Sequence, residues 1–126
     1  MEGYSVKIIE TSFTDLTSKQ RVMLKDTTNA VKIDDVVTPD NPLVLDICDY
    51  AVIQIHNENS DDKEYKQYMY ITTDGMKYVS GSVSLFTSFL DIYEEMEDSN
   101  EEYQIKIYKM PSKNYTNKHF ITCSIV

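Results

Sequence analysis

Apolar and polar residues alternate with a period of two through most of the chain, and one segment breaks that rhythm. Residues 4–9 (Tyr-Ser-Val-Lys-Ile-Ile), 30–34, 43–48, 50–56 (Tyr-Ala-Val-Ile-Gln-Ile-His), 66–72 and 77–80 read as strands. Asp74-Gly75 between the last two predicts a hairpin turn, because Gly accepts the positive φ such turns need. Thr38-Pro39-Asp40-Asn41-Pro42 and the polar run from Asn57 to Lys63 read as loops. Thr17-Ser18-Lys19-Gln20 has the spacing of a capping box, which predicts a short helix near 18–25. The break comes at Ser82 or Ser84. From there Leu85, Phe86, Phe89, Leu90, Tyr93 and Met96 recur at three and four, giving one apolar stripe with Asp91, Glu94, Glu95 and Glu97 on the water side. Tyr103–Met110 and Lys118–Ile125 close the chain as a hairpin across Pro111 to Asn117.

Strands, one main amphipathic helix at about 82–97 and a C-terminal β-hairpin define a β-rich α+β protein. The element order is that of an OB-like antiparallel barrel, with a helix-packed sandwich or another α+β fold as the alternatives. At 126 residues the expectation is a single OB-like domain over 1–126.

Parity within the strands sorts residues onto two faces. Ala51, Ile53 and Ile55 oppose Tyr50, Val52, Gln54 and His56, and Met69 and Ile71 oppose Lys66, Tyr68 and Tyr70. Tyr103, Ile105 and Ile107 oppose Lys106, Tyr108 and Met110, while Ile121, Cys123 and Ile125 oppose Lys118, Phe120, Thr122 and Ser124. The side turned from the aliphatic core therefore collects Tyr50, Tyr68, Tyr70, Tyr108 and Phe120 among Lys66, Lys106 and Lys118. Single-stranded nucleic acid asks for this combination: aromatic rings stack on bases at roughly 1–3 kcal/mol each, and lysines follow the phosphates. Each Tyr alone is also explained by β-propensity; the argument lies in four strands agreeing. The acid-free segment between the last two strands adds Lys113 and Tyr115, placed like the loops that clamp a strand on OB domains.

Charge qualifies this picture. The net charge of −9 excludes a binder that works by being positive everywhere. The acids are segregated, however. Residues 34–62 and 82–102 hold fifteen of the 21 Asp and Glu and no Lys or Arg, whereas the last 24 residues hold Lys106, Lys109, Lys113 and Lys118 and no acid. Cys48 and Cys123 lack metal-ligand spacing and are expected to be reduced, mostly buried thiols of a cytoplasmic protein. His56 and His119 show no ligand spacing, and Asp34-Asp35 and Asp61-Asp62 sit in polar runs. No phosphate-binding Gly loop, nucleophile elbow or Cys–His constellation occurs, so no catalysis, cofactor or metal is expected. No apolar run is long enough for a membrane helix, and the N-terminus lacks the pattern of a secretory signal.

From Asp74-Gly75 onwards, about two-fifths of the chain resembles the small single-stranded-DNA-binding proteins of protein-primed podophages. The shared features are the Gly-turn hairpin, the Ser80-Gly81-Ser82 entry to an amphipathic helix, a strand with alternating Lys and a Ser-Lys loop. The chain then ends in a strand reading Lys118-x-Phe120-x-x-x-Ser124-Ile125. The resemblance implies a replication protein that coats displaced single-stranded DNA in the host cytoplasm, with phage replication proteins as possible partners. A second reading is a small acidic phage protein that binds and inhibits a host protein, its carboxylates standing where DNA phosphates would.

Overall fold

A computed structural model describes residues 3–59, 61, 63–111 and 119–126. Eleven elements follow one another: β1 (Tyr4–Thr11), α1 (Ser18–Lys25), β2 (Val31–Lys32), α2 (Ile33–Val36), β3 (Leu43–Leu45), β4 (Ile47–Asn57), β5 (Glu64–Thr72), β6 (Lys77–Ser80), α3 (Val83–Met96), β7 (Ile105–Pro111) and β8 (His119–Ile125). The strands form a five-stranded sheet ordered β1-β4-β5-β6-β2 and a three-stranded sheet ordered β3-β7-β8. The protein is thus β-rich α+β, but among the described residues its strands make two open sheets rather than a closed barrel. The chain divides into two compact units, Met1–Val31 with Cys48–Gly81, and Lys32–Ile47 with Ser82–Val126.

In the first unit, β1 pairs antiparallel with β4, with a bulge at Ile9 between the pairs Ile8↔Ile53 and Glu10↔Val52. β5 and β6 form the hairpin that Asp74-Gly75 predicts, with Gly75 at φ 85°. The Asp74 carboxylate accepts from the Thr72 hydroxyl and, at 3.3 Å, from the Met76 amide, which holds its pKa below the usual carboxylate range. One face of the sheet carries the core, with Ala51, Ile53, Ile55, Met69, Ile71 and Val79 packed with Leu24 of α1. The helix starts as its sequence requires. Thr17 Oγ1 accepts from the Gln20 amide at 3.1 Å, and Gln20 Oε1 accepts from the Thr17 amide at 2.9 Å. Its end is held by a residue the pattern does not flag. Lys77, on the same face of β6 as Val79 and only 6% exposed, donates from Nζ to the carbonyls of Met23 (3.0 Å) and Asp26 (2.6 Å). An ammonium there joins the Asp26 amide, which donates to the Met23 carbonyl at 3.3 Å, in satisfying the carbonyls of the helix terminus, and lies at the negative pole of the helix dipole.

In the second unit, α3 begins at its N-cap Ser82, whose hydroxyl accepts from the Leu85 amide at 3.2 Å. Leu85 and Phe89 are its fully buried residues, with Phe86 and Tyr93 stacked at 6.4 and 5.6 Å from the Phe89 ring. The helix is tied to β8 by Ser84, which donates to the Ile121 carbonyl at 2.8 Å, and by the Ser88–Thr122 hydroxyl pair at 3.0 Å. Leu45, Ile105, Ile107, Ile121 and Cys123 are the buried residues of the sheet.

Three expectations change. Residues 30–34 hold only the two-residue β2 before α2 begins. Ile33 and Val36 are spaced for a helical turn, and Asp34 and Asp35 fall in its first turn, where the helix dipole favours anions. The run 43–48 is divided, with β3 ending at Leu45 and β4 starting at Ile47. Cys48 is exposed, not buried, while Cys123 is buried and its thiol is pushed up to about 11 by desolvation.

Candidate nucleic-acid interface

The register of the three-stranded sheet places one row of side chains opposite its aliphatic face. Val44 lies across from Lys106 and Lys106 from Ser124, Tyr108 from Thr122, and Met110 from Phe120. Alternation puts all of them on the side away from Leu45, Ile105, Ile107 and Cys123. This side is open at one end and partly covered at the other: Phe120 is 40% exposed, Val44, Lys106 and Met110 are exposed, and Tyr108, Ser124 and Thr122, which meets Ser88 of α3, are half-buried. The Tyr108 ring is held in place. Its hydroxyl shares a 2.7 Å hydrogen bond with Ser124, and Lys106 Nζ lies 5.9 Å from the ring centroid, within cation–π range. The result is a row of Tyr108, Met110 and Phe120 bordered, among the described residues, by Lys106, able to accept a planar apolar ring and an anionic group beside it.

Three expected residues of the first unit do not join such a surface. Tyr50 and Tyr68 are buried, and Tyr70 is 0% exposed. Parity places them on the face opposite Ile53 and Met69, as expected, but that face is covered where they lie, and a base cannot stack on a covered ring. Their role is packing. Lys66, on the same strand as Tyr68, is exposed. Lys113, Tyr115 and Lys118 lie outside the described residues. Of the expected set, then, Lys106, Tyr108 and Phe120 share one open face, and Met110 and Val44 complete it. Met110 follows from the parity of β7. Val44 joins only through the β3–β7 pairing, which links residues far apart in sequence.

Two further constellations gather polar and titratable groups. At the end of β4, His56 Nε2 lies 2.6 Å from Glu58 and Nδ1 3.3 Å from Glu64; Lys63 pairs with Glu58 at 3.4 Å, and Gln54 donates to Glu64 at 3.0 Å. The hydrogen bond to Glu58, above all, raises the His56 pKa above its ordinary value. This is an exposed ion-pair network, and no group of three or more His, Cys, Asp or Glu among the described residues is arranged to hold a metal. In the second unit an open cleft of about 420 Å³ is lined by Asp46, Glu102, Tyr103, Gln104 and Val126. Burial raises the Tyr103 hydroxyl, but the cleft brings no nucleophile to a base. Among the described residues, no helix is long and apolar enough to cross a membrane. No protein-family model, curated protein or solved structure matches the chain.

Proposed function

We propose that the protein is a non-catalytic single-stranded-DNA-binding protein that uses the open face of the β3-β7-β8 sheet. The observation that carries this reading is the row Lys106–Tyr108–Met110–Phe120. Isolated apolar residues on a surface need no explanation. An oriented Tyr, an exposed Phe and a Met in one row beside a cation form the stacking platform that unpaired bases use, with a phosphate contact at its border. On this reading the sheet acts as an OB-like strand platform although its strands remain open. Following the sequence resemblance, its setting is the coating of displaced strands during phage DNA replication. The net charge of −9 makes the binding local and weakly salt-dependent, since few phosphates are neutralised.

Fluorescence anisotropy of a labelled oligo-dT, titrated with protein at two salt concentrations, tests the reading. Phe120→Ala should weaken binding by about 1–3 kcal/mol, one stacked base, with an unchanged circular dichroism spectrum. Lys106→Glu should weaken it further and flatten the salt dependence. Absence of binding at low salt, or binding indifferent to both substitutions, refutes the proposal. The inhibitor reading has its own observation, the exposed carboxylates Asp91, Glu94 and Glu95 on α3 and Glu97 at its C-cap; it gains if oligo-dT does not bind and a host protein captured by the chain is lost with Glu94→Gln, Glu95→Gln and Glu97→Gln.

A further inference from the structure

The outer side of α1 carries the charge opposite to the net charge of −9 of the chain. Lys19, Val22 and Lys25 stand at i, i+3 and i+6, one ridge of the helix, and all three are exposed. Val22, between the two cations, is 69% exposed, and the neighbouring Met23 is also exposed. The helix contains no acid, and its remaining cation is engaged locally: Arg21 donates to the Leu16 carbonyl at 2.8 Å and to Ser18 Oγ at 3.1 Å. An apolar residue held out between two lysines that have no ion-pair partner among the described residues is a surface suited to an anionic, helical or extended partner.

The same chain carries the complement. On α3 and its C-cap, Asp91, Glu94 and Glu97 stand at the same i, i+3, i+6 spacing, and all are exposed. Among the described residues none of these acids, nor Lys19 or Lys25, is in an ion pair. The acidic ridge is unfavourable as it stands. Like charges three apart repel, and they crowd the C-terminal end of the helix, whose dipole already disfavours anions there. A cationic ridge laid against it would relieve both effects. The geometry matches: six residues of helix rise about 9 Å, so Lys19 and Lys25 are separated along their axis by the same distance as Asp91 and Glu97.

We propose that α1 of one molecule docks on α3 of a second copy, Lys19 and Lys25 pairing with Asp91 and Glu97 around Val22. The contact joins two different surfaces: a two-fold arrangement makes it twice and closes a dimer, and any other rotation gives a larger ring or short chains. The inference does not rest on DNA binding and is tested without nucleic acid.

Sedimentation velocity across a concentration series gives the test. The measurement is made at about 0.1 M salt, where the Debye length of about 10 Å screens the overall repulsion between acidic copies but not pairs in contact. Species larger than the monomer should grow with concentration and disappear at about 1 M salt. The reversal Lys19→Glu with Lys25→Glu should weaken association at least about tenfold, as should Asp91→Lys with Glu97→Lys. Mixing the two variants should restore it, because each then offers the surface the other lacks. Circular dichroism checks folding, and the neutral pair Lys19→Gln with Lys25→Gln should give the same loss should the reversal disturb α1. A monomer at every concentration up to about 1 mM overturns the proposal. So does association that survives both reversals, or a mixture that stays monomeric.

Discussion

Replacing Lys77 by Met removes one buried ammonium while keeping the aliphatic stem, and the structure gives the size of the effect. Two hydrogen bonds are lost, at 3.0 Å to the Met23 carbonyl and 2.6 Å to that of Asp26. Hydrogen bonds to a charged donor are worth roughly 1.5–3 kcal/mol each. Those values are already net of the cost of taking the ammonium out of water. The carbonyls it leaves belong to the end of a helix whose residues 23 and 26 are exposed, so water reaches part of the vacated acceptor capacity. The balance is a destabilisation of about 2–3 kcal/mol. For a chain of this length that is a fall in melting temperature of about 6–15 °C. Thermal unfolding followed by circular dichroism measures it, and hydrogen exchange should show the loss concentrated in α1, which buries only Leu24. Lys77→Arg, which keeps charge and donors, should recover part of the stability. A shift below about 2 °C for Lys77→Met, with α1 protection unchanged, would refute the assignment of this side chain as the clamp on the helix.

Tyr70→Ala should cost about 3–5 kcal/mol in a urea melt, as for other buried aromatics; a stable variant with weakened oligonucleotide binding would return Tyr70 to the binding surface. Removing the Thr17 hydroxyl with Thr17→Ala should cost about 1 kcal/mol and lower α1 protection, since it opens one half of the capping box. His56 has a folded pKa raised above its unfolded value of about 6.5, so its contribution to stability is complete below that pH and is lost as pH rises through the folded value. Urea midpoints of the native protein should therefore fall relative to His56→Gln across that window, and parallel pH profiles would count against the Glu58–His56–Glu64 network. A thiol reagent should modify only Cys48 in the native protein and both cysteines in denaturant, because Cys123 is buried and its thiol raised to about 11.

Much of the secondary structure could be read from local chemistry. The capping box at Thr17–Gln20 and the Ser82 N-cap with its three-and-four spacing specify α1 and α3 to within a residue or two, because caps and amphipathic stripes are set by neighbours in sequence. Asp74-Gly75 did the same for the β5–β6 turn. The sheet faces were read correctly, but the exposure expected of Tyr50, Tyr68 and Tyr70 was not met. Parity tells which side a residue is on, not whether that side is covered. The sign of double burial is present in the continuous apolar runs Tyr50-Ala-Val-Ile53 and Tyr68-Met-Tyr-Ile71, which lack the polar alternation of a half-solvated strand. On β7 and β8, where Lys106, Thr122 and Ser124 do alternate with Ile and Cys, the outward face is partly open. Lys77 illustrates the other limit. In sequence it is one more lysine beside a turn, and its partners lie more than fifty residues earlier.

The division of the chain into two interleaved units has a consequence for the order in which it can take shape during synthesis. Every segment of the first unit, Met1–Val31 and Cys48–Gly81, has been made once residue 81 is added. The second unit cannot form then. Its early piece, Lys32–Ile47, contains β3, whose pairing partner is β7, and Leu43 waits for Ile107. At about 5–20 residues per second the remaining 45 residues take some seconds to emerge, time enough for the first sheet to assemble. Through that interval the stretch around Leu43–Leu45 is an apolar strand without its ladder. The acids that flank it, Asp40 and Asp46, and the two prolines Pro39 and Pro42 are residues that discourage such a strand from pairing elsewhere while its partner is being made.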